Sequence, residues 1–244
     1  MNPPLLVVDL GRRRYGEVLL LQRALVERRL ADRSLPDLLL LVEHEPVVTL
    51  GRGTRASSLP VPPAALERRG LEVFEVERGG DVSWHGPGQL VGYPVLDLEQ
   101  LRPDLHWYLR QLEVSLVNAL EALGVAAAVR NGLTGVWSNG RKIASIGIHV
   151  RRWVTCHGFA LNVTTDPAAF GPIVPCGIHG VEMTSVAREL RGDSEPAGLW
   201  NRTRQAVVEA LGRRFDRDPT PAMLDRLATT KVLSNHKNTE RSAL

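Results

Sequence analysis

The chain holds 244 residues, 30 basic against 27 acidic, for a formal charge of +3. That balance is too mild for a nucleic-acid binder, and 43% hydrophobic with 23% charged residues excludes a disordered, collagenous or disulfide-built chain. The longest apolar run, Leu38 to Val42, is far too short to cross a bilayer. The first apolar run precedes the positive charges of Arg12 to Arg14, so no secretory signal is expected and a cytoplasmic location is. Tyr15, Val18, Leu19, Gln22, Leu25, Val26 and Leu30 recur at helical spacing and predict an amphipathic helix. A strand follows from Asp37 to Leu50, central to its sheet over Leu38 to Val42 and broken or bulged at Pro46. Thr54 to Gly70 reads as a loop with a short helix, and Leu71 to Val76 as a strand.

A second helix places Leu105, Leu109, Leu112, Leu116, Leu120 and Leu123 on one face and stops at Gly124. Asn139-Gly140 between two extended runs predicts a two-residue hairpin turn. On the outgoing strand strict alternation puts Lys142 in a row with Ala144, Ile146, Ile148 and Val150. Thr155 to Val163 is a further strand, Gly171 to Gly180 a loop, and Leu199 to Phe215 a third helix. This order predicts an α+β fold, a mixed β-sheet with flanking helices, with one domain over residues 1–218 and a loosely ordered tail over 219–244.

Only three of the 30 basic residues are lysines, and two of them, Lys231 and Lys237, lie in the tail. Arginine keeps its proton at any useful pH whereas lysine can be drawn into acid/base or ion-pair work, so Lys142 stands out. Two cysteines cannot build a disulfide framework, and neither belongs to a zinc-type CxxC pair, so no metal is expected. Cys176, in Pro175-Cys176-Gly177, is either a small side chain tucked under a loop or an exposed nucleophile, while Cys156 in a strand reads as a packed thiol. A nucleophile must be a thiolate, and an ammonium about 4 Å away at an effective dielectric near 20 contributes about 4 kcal/mol toward it. Lys142 could supply that charge, or His85, His157 or His179 could support the sulfur in a Cys/His arrangement. Arg78 to Pro94 carries five glycines and two prolines around Trp84 and His85, either as tight turns or as backbone wrapped closely on a ligand; it matches no nucleotide phosphate loop. Gly51-Arg52-Gly53 reads as a turn.

Three blocks, RGGDVSWHGPGQLVGYP from Arg78, GRKIASIGIHV from Gly140 with HGFALNV from His157, and IVPCGI from Ile173, resemble the lipoyl(octanoyl) transferase family of lipoate biosynthesis. The resemblance implies the biotin/lipoate protein ligase-like (class II synthetase-like) fold and an octanoyltransferase catalytic domain. It implies a catalytic Cys176 that carries the acyl group as a thioester and a Lys142 that lowers its pKa. The implied substrate-binding residues are Arg78, Gly79, Gly80, Asp81, Val82, Ser83, Trp84 and His85, then Ser145, Ile146 and Gly147, then Gly158, Phe159 and Ala160. The implied donor is octanoyl-acyl carrier protein, its acyl group on the phosphopantetheine arm and no further cofactor needed. The implied acceptors are lipoyl domains of 2-oxoacid dehydrogenase acyltransferase subunits and glycine cleavage H protein, without nucleic acid or membrane. Oxyanion donors are expected near Gly177 and in the glycine-rich blocks, and Arg12 to Arg14, Arg68, Arg69, Arg151 and Arg152 form either a carrier-docking face or a solvated basic face. The competing readings are an ATP-dependent lipoate or biotin ligase on the same fold, a cysteine hydrolase, and a non-catalytic acyl-carrier-binding module.

Overall fold

The computed structural model describes residues 2–178, 180–190 and 197–224. Its strands are β1 (Pro4–Arg13), β2 (Asp37–His44), β3 (Val47–Leu50), β4 (Glu72–Glu75), β5 (Val82–His85), β6 (Gln89–Val95), β7 (Ala128–Arg130), β8 (Leu133–Ser138), β9 (Arg141–Arg151), β10 (Val154–Asn162) and β11 (Asp218–Pro221). Its α-helices are α1 (Tyr15–Ala31), α2 (Pro63–Glu67), α3 (Leu105–Ala122), α4 (Val186–Glu189) and α5 (Leu199–Arg214). Eight strands form a mixed sheet in the order β11-β1-β2-β6-β10-β9-β8-β7, and β4-β3-β5 form a smaller sheet. The pairs β11–β1 and β1–β2 are parallel, whereas β2 onward pairs antiparallel.

The run Leu38 to Val42 is apolar throughout because each of its faces meets a core. Leu38, Leu40 and Val42 join Val18, Leu25 and Val26 of α1, while Leu39 and Leu41 join Leu112, Leu116 and Leu120 of α3 and Val207 and Leu211 of α5. Each fully buried leucine is worth about 1.5–3 kcal/mol relative to an exposed one, so this strand anchors both layers. The strand expected from Asp37 to Leu50 is two strands in two sheets: β2 ends at His44, and after Pro46 the chain re-enters as β3 of the small sheet. Proline lacks the N–H a ladder needs, and here the break lets one segment link the sheets. A third core, with Val48, Val82, Trp84, Phe170, Ile173 and Met183, fills the small sheet.

The helix α3 begins where the Asp104 side chain accepts from the Trp107 N–H, and ends before Gly124 at φ 84°. Its buried face is Tyr108, Leu112, Ser115, Leu116 and Ala119; Leu105, expected on it, is exposed in the first turn. The Asn139-Gly140 hairpin is present, with φ 47° and 84° as a two-residue turn between right-twisted strands requires. The first residues of the segment expected as a tail form β11 on the edge of β1, and residues 225–244 lie outside the described residues. Among the described residues no helix is long and apolar enough to cross a membrane.

Candidate active site

A cavity of about 250 Å³ opens between the two sheets, walled by β5, β6, β9 and β10 and capped by the loop that carries Cys176. Lys142 reaches it through an irregularity in β9. Val136 pairs with Ala144 but Trp137 pairs with Lys142, one residue out of step, so Ile143 is the extra residue of a bulge. Past a bulge the side chains change face. Lys142 therefore leaves the apolar row of Ala144, Ile148 and Val150, where alternation had placed it, and joins Ser145 and Gly147 at the cavity. Its backbone is held a second time, by an N–H bond to the Glu182 carbonyl and a carbonyl bond from the Thr184 N–H.

Cys176 sits in a single 3-10 turn, Pro175–Gly177, at φ 57° and ψ 19°, a left-handed conformation that a non-glycine residue adopts at a cost of about 1–3 kcal/mol. The loop is tied down on its far side. Val174 N–H donates to the Ser58 carbonyl, Ser58 Oγ donates to Asp81 Oδ2 at 2.6 Å, and a Cβ on Gly177 would stand 2.3 Å from that same oxygen. The next residue after the cysteine must therefore be glycine. The sulfur so presented accepts from Lys142 Nζ at 3.0 Å and lies 3.6 Å from Ser145 Oγ. Lys142 Nζ also donates to the Thr134 carbonyl at 3.0 Å, and the lysine is only 1% exposed.

Of the residues implied for binding, Arg78, Gly80, Asp81, Val82, Ser83, His85, Ser145, Ile146, Gly147, Gly158, Phe159 and Ala160 line this cavity with Lys142 and Cys176. Two do not. Trp84 turns into the third core against Phe170, and Gly79 spends its N–H on the Ile148 carbonyl. Asp81 is committed to Ser58 and to the Val82 N–H, which makes it a brace for the cysteine loop. Arg78 is buried and donates to Thr49 at both its carbonyl and its hydroxyl; burial lowers its pKa, and Tyr15 and Cys176 oppose that. The Gly177 N–H donates to the Val174 carbonyl and the Ile178 N–H to that of Pro175, so these expected oxyanion donors are already engaged.

The histidine alternatives His85 and His157 line the same cavity but are engaged with other partners. His85 bonds Gln89 at 2.8 Å, and burial, with His44 and Arg78 nearby, pushes its pKa down to about 3. His157 lies 3.8 Å from Glu77, and His179 lies outside the described residues. Cys156 is a packed thiol on the α1 side, pushed up to about 12 by burial. Several lining residues escaped the sequence reading: Tyr15, Val91, Tyr93, Gly132 to Thr134 and Ile178. His157, named as a possible partner of the sulfur, does line the cavity, at a φ of 57°. Of the arginines expected to dock a carrier, Arg12, Arg14 and Arg151 are paired with Glu45, Glu72 and Glu27.

The fold and a cysteine–lysine cavity define the class that the comparisons identify. A family model described as the lipoyl protein ligase A/B catalytic domain matches residues 14–215. A lipoate-protein ligase A bound with ATP superposes with a TM-score of 0.69 at 17% identity, covering 91% of this chain and 89% of that one. A bi-partite lipoate protein ligase from Thermoplasma acidophilum gives 0.68 at 16%, covering 91% and 87%. The chain has the fold of these ligases and belongs to the lipoyl protein ligase A/B family. Within it, octanoyltransferases are markedly more similar: that of Synechococcus elongatus is 42% identical over 93% of this chain and 94% of its own length. The octanoyltransferase of Geobacter sulfurreducens is 51% identical over 75% and 74%, and that of Gloeobacter violaceus 55% over 64% and 68%. The chain is a member of the octanoyltransferase family of transferase enzymes, and its activity is octanoyl transfer.

Proposed function

We propose that octanoyl transfer here runs through an acyl-thioester on Cys176, from octanoyl-acyl carrier protein to a lysine of a lipoyl domain, with no cofactor beyond the donor's own phosphopantetheine arm. The observation that carries this reading is the 3.0 Å bond between Lys142 Nζ and Cys176 Sγ inside the cavity. An ammonium at that distance favours the thiolate over the thiol, and the thiolate is the nucleophile. In the first step the sulfur forms a bond to the donor carbonyl carbon, the carbon–sulfur bond to the carrier arm breaks, and the departing thiolate takes a proton from Lys142. In the second, the acceptor amine forms the amide bond, the Cys176 thioester breaks, and the amine's proton returns to Lys142. Dividing the transfer lets two large protein substrates use one opening in turn.

Ser145 Oγ offers a hydroxyl beside the carbonyl oxygen as it becomes an oxyanion. The eight-carbon chain lies against Val91, Phe159, Ala160 and Ile146, where each buried CH2 is worth about 0.8 kcal/mol. The lipoylation system of Thermoplasma acidophilum pairs a lipoate protein ligase with its E2 lipoyl domain, which supports a lipoyl domain as the acceptor class. A ligase activates its acid with ATP and has no need of a nucleophilic sulfur; a cysteine held left-handed at the cavity mouth argues for the transferase. Intact-mass measurement after incubation with octanoyl-carrier protein tests the reading. One added octanoyl group is expected, absent in Cys176→Ala and discharged by a lipoyl domain. Transfer that needs ATP and survives Cys176→Ala would overturn it.

A further inference from the structure

Lys142 is buried, and its direct partners, the Thr134 carbonyl and the Cys176 sulfur, include no carboxylate. A buried ammonium without an anion costs several kcal/mol and tends to shed its proton. The Cys176 thiolate supplies that anion only while the sulfur is free; once acylated, it carries no charge. A permanent anion lies one layer deeper. Glu113 of α3 has a fully buried side chain, accepts from the Gly135 N–H at 2.9 Å, and is paired from outside by Arg110. Gly135 stands between this carboxylate and the lysine. Its φ is +125°, and a Cβ there would stand 2.8 Å from Lys142 Cε and 3.2 Å from Nζ. The strand that Glu113 grips is thus in contact with the lysine's own end.

We propose that Glu113 is the positioning residue of the Cys176–Lys142 pair: its carboxylate is the fixed counter-charge that keeps Lys142 an ammonium, and its bond to Gly135 seats the strand that the lysine rests on. The role rests on the thioester reading above. Burial raises the Glu113 pKa, while the Gly135 N–H, Arg110 and Lys142 draw it back, so carboxylate and ammonium interact across the strand. The charged and titratable groups around the lysine and its sulfur are Cys176 from the loop, Glu113 and Arg110 from α3, Arg78, which acts on the sulfur, and, lining the same cavity, Asp81 bonded to Ser58 with His85 and His157. From β8 come the Thr134 carbonyl, Gly135 and the Trp137 ring, whose centroid is 5.4 Å from Nζ.

The direction of the effect separates this role from a bystander's. A nearby anion acting on the sulfur alone would hinder thiolate formation, and its removal would move Cys176 alkylation to lower pH. Acting through Lys142, its removal does the reverse: the lysine becomes neutral and the thiolate loses its partner. Glu113→Gln keeps an acceptor for the Gly135 N–H and deletes the charge. Its pH profile of iodoacetamide alkylation at Cys176, read by mass, is expected to move up by about one unit. Glu113→Asp should recover part of that shift, and in a Lys142→Ala background Glu113→Gln should move nothing.

A profile unmoved or moved down in Glu113→Gln, or an upward shift that persists without Lys142, overturns the proposal. A wild-type profile equal to that of Lys142→Ala overturns the Cys–Lys reading itself, and the role of Glu113 with it. A second measurement needs no variant. The chain has three lysines, so lysine labelled at 13Cε gives three signals. In wild-type enzyme with Cys176 unmodified, the Lys142 signal should report an ammonium at neutral pH; a neutral amine there overturns the proposal.

Discussion

Two regions of this molecule hold buried charge in opposite ways. On β2, Asp37 accepts from Arg29 at 3.1 Å, from Arg217 Nε at 2.8 Å and from the Asp97 N–H at 3.2 Å, so every charge is answered directly and the cluster joins α1, the main sheet and the segment after α5. On β9, Lys142 is equally buried but bonds only a carbonyl and the Cys176 sulfur, and its carboxylate stands behind a strand. A closed arrangement has no further reaction open to it. An open one is less stable by itself, yet its ammonium is free to follow the changing charge of the sulfur.

Removing a charge from each region sharpens the contrast. Asp37→Ala strands two guanidiniums that are 3% and 8% exposed, and should lose about 3–5 kcal/mol of stability in denaturant unfolding, with the folded fraction still active. A loss under about 1 kcal/mol would mean that the cluster is solvated and the contrast unfounded. Lys142→Met, of similar volume, should leave stability unchanged or raised, because the sulfur left behind can take up a proton and become a neutral thiol. Octanoyl transfer should fall about 100-fold, equivalent to about 2.7 kcal/mol in the barrier. Should transfer persist at the wild-type rate, the open arrangement has no catalytic meaning.

The contrast also separates what the sequence disclosed from what it concealed. Asn139-Gly140 was readable because a two-residue turn demands positive φ, and Leu38 to Val42 because only a strand covered on both faces stays apolar at every position. Cys176 and Lys142 were readable as a candidate pair, one by its glycine and proline neighbours, the other by the scarcity of lysine, and the structure brings them within 3.0 Å. The face on which Lys142 emerges was not, since the bulge at Ile143 depends on how β8 pairs with β9, and alternation along one strand carries no trace of it. Trp84 was assigned with its block, but alternate residues of β5 face opposite sides, and it turns into the third core while His85 meets the cavity. Glu113 was invisible because helical periodicity treats a charged residue beside Leu112 as the edge of the solvent face.

The floor of the cavity shows a third way of handling charge, and yields the smallest expected effect near neutral pH. Tyr15, His44, His85 and Tyr93 form a stacked and bonded cluster there, with His44 Nε2 at 2.7 Å from the Tyr93 hydroxyl. Burial lowers the pKa of His44 to about 4, and burial with His44 and Arg78 lowers that of His85 to about 3. Both rings are thus neutral where the unfolded chain, with an ordinary histidine pKa of about 6.5, already takes up protons. Their folded values lie below the unfolded one, so the unfolded state binds more protons as pH falls, and stability must drop with it. The loss begins below about pH 6.5 and continues until the folded rings themselves titrate near 4 and 3. Unfolding free energy measured from pH 7 to 4 should therefore decline, and His44→Gln should flatten that decline by one proton's share. A variant whose slope equals the wild type's would show that His44 is solvated, and that the cavity floor tolerates charge much as the Asp37 cluster does.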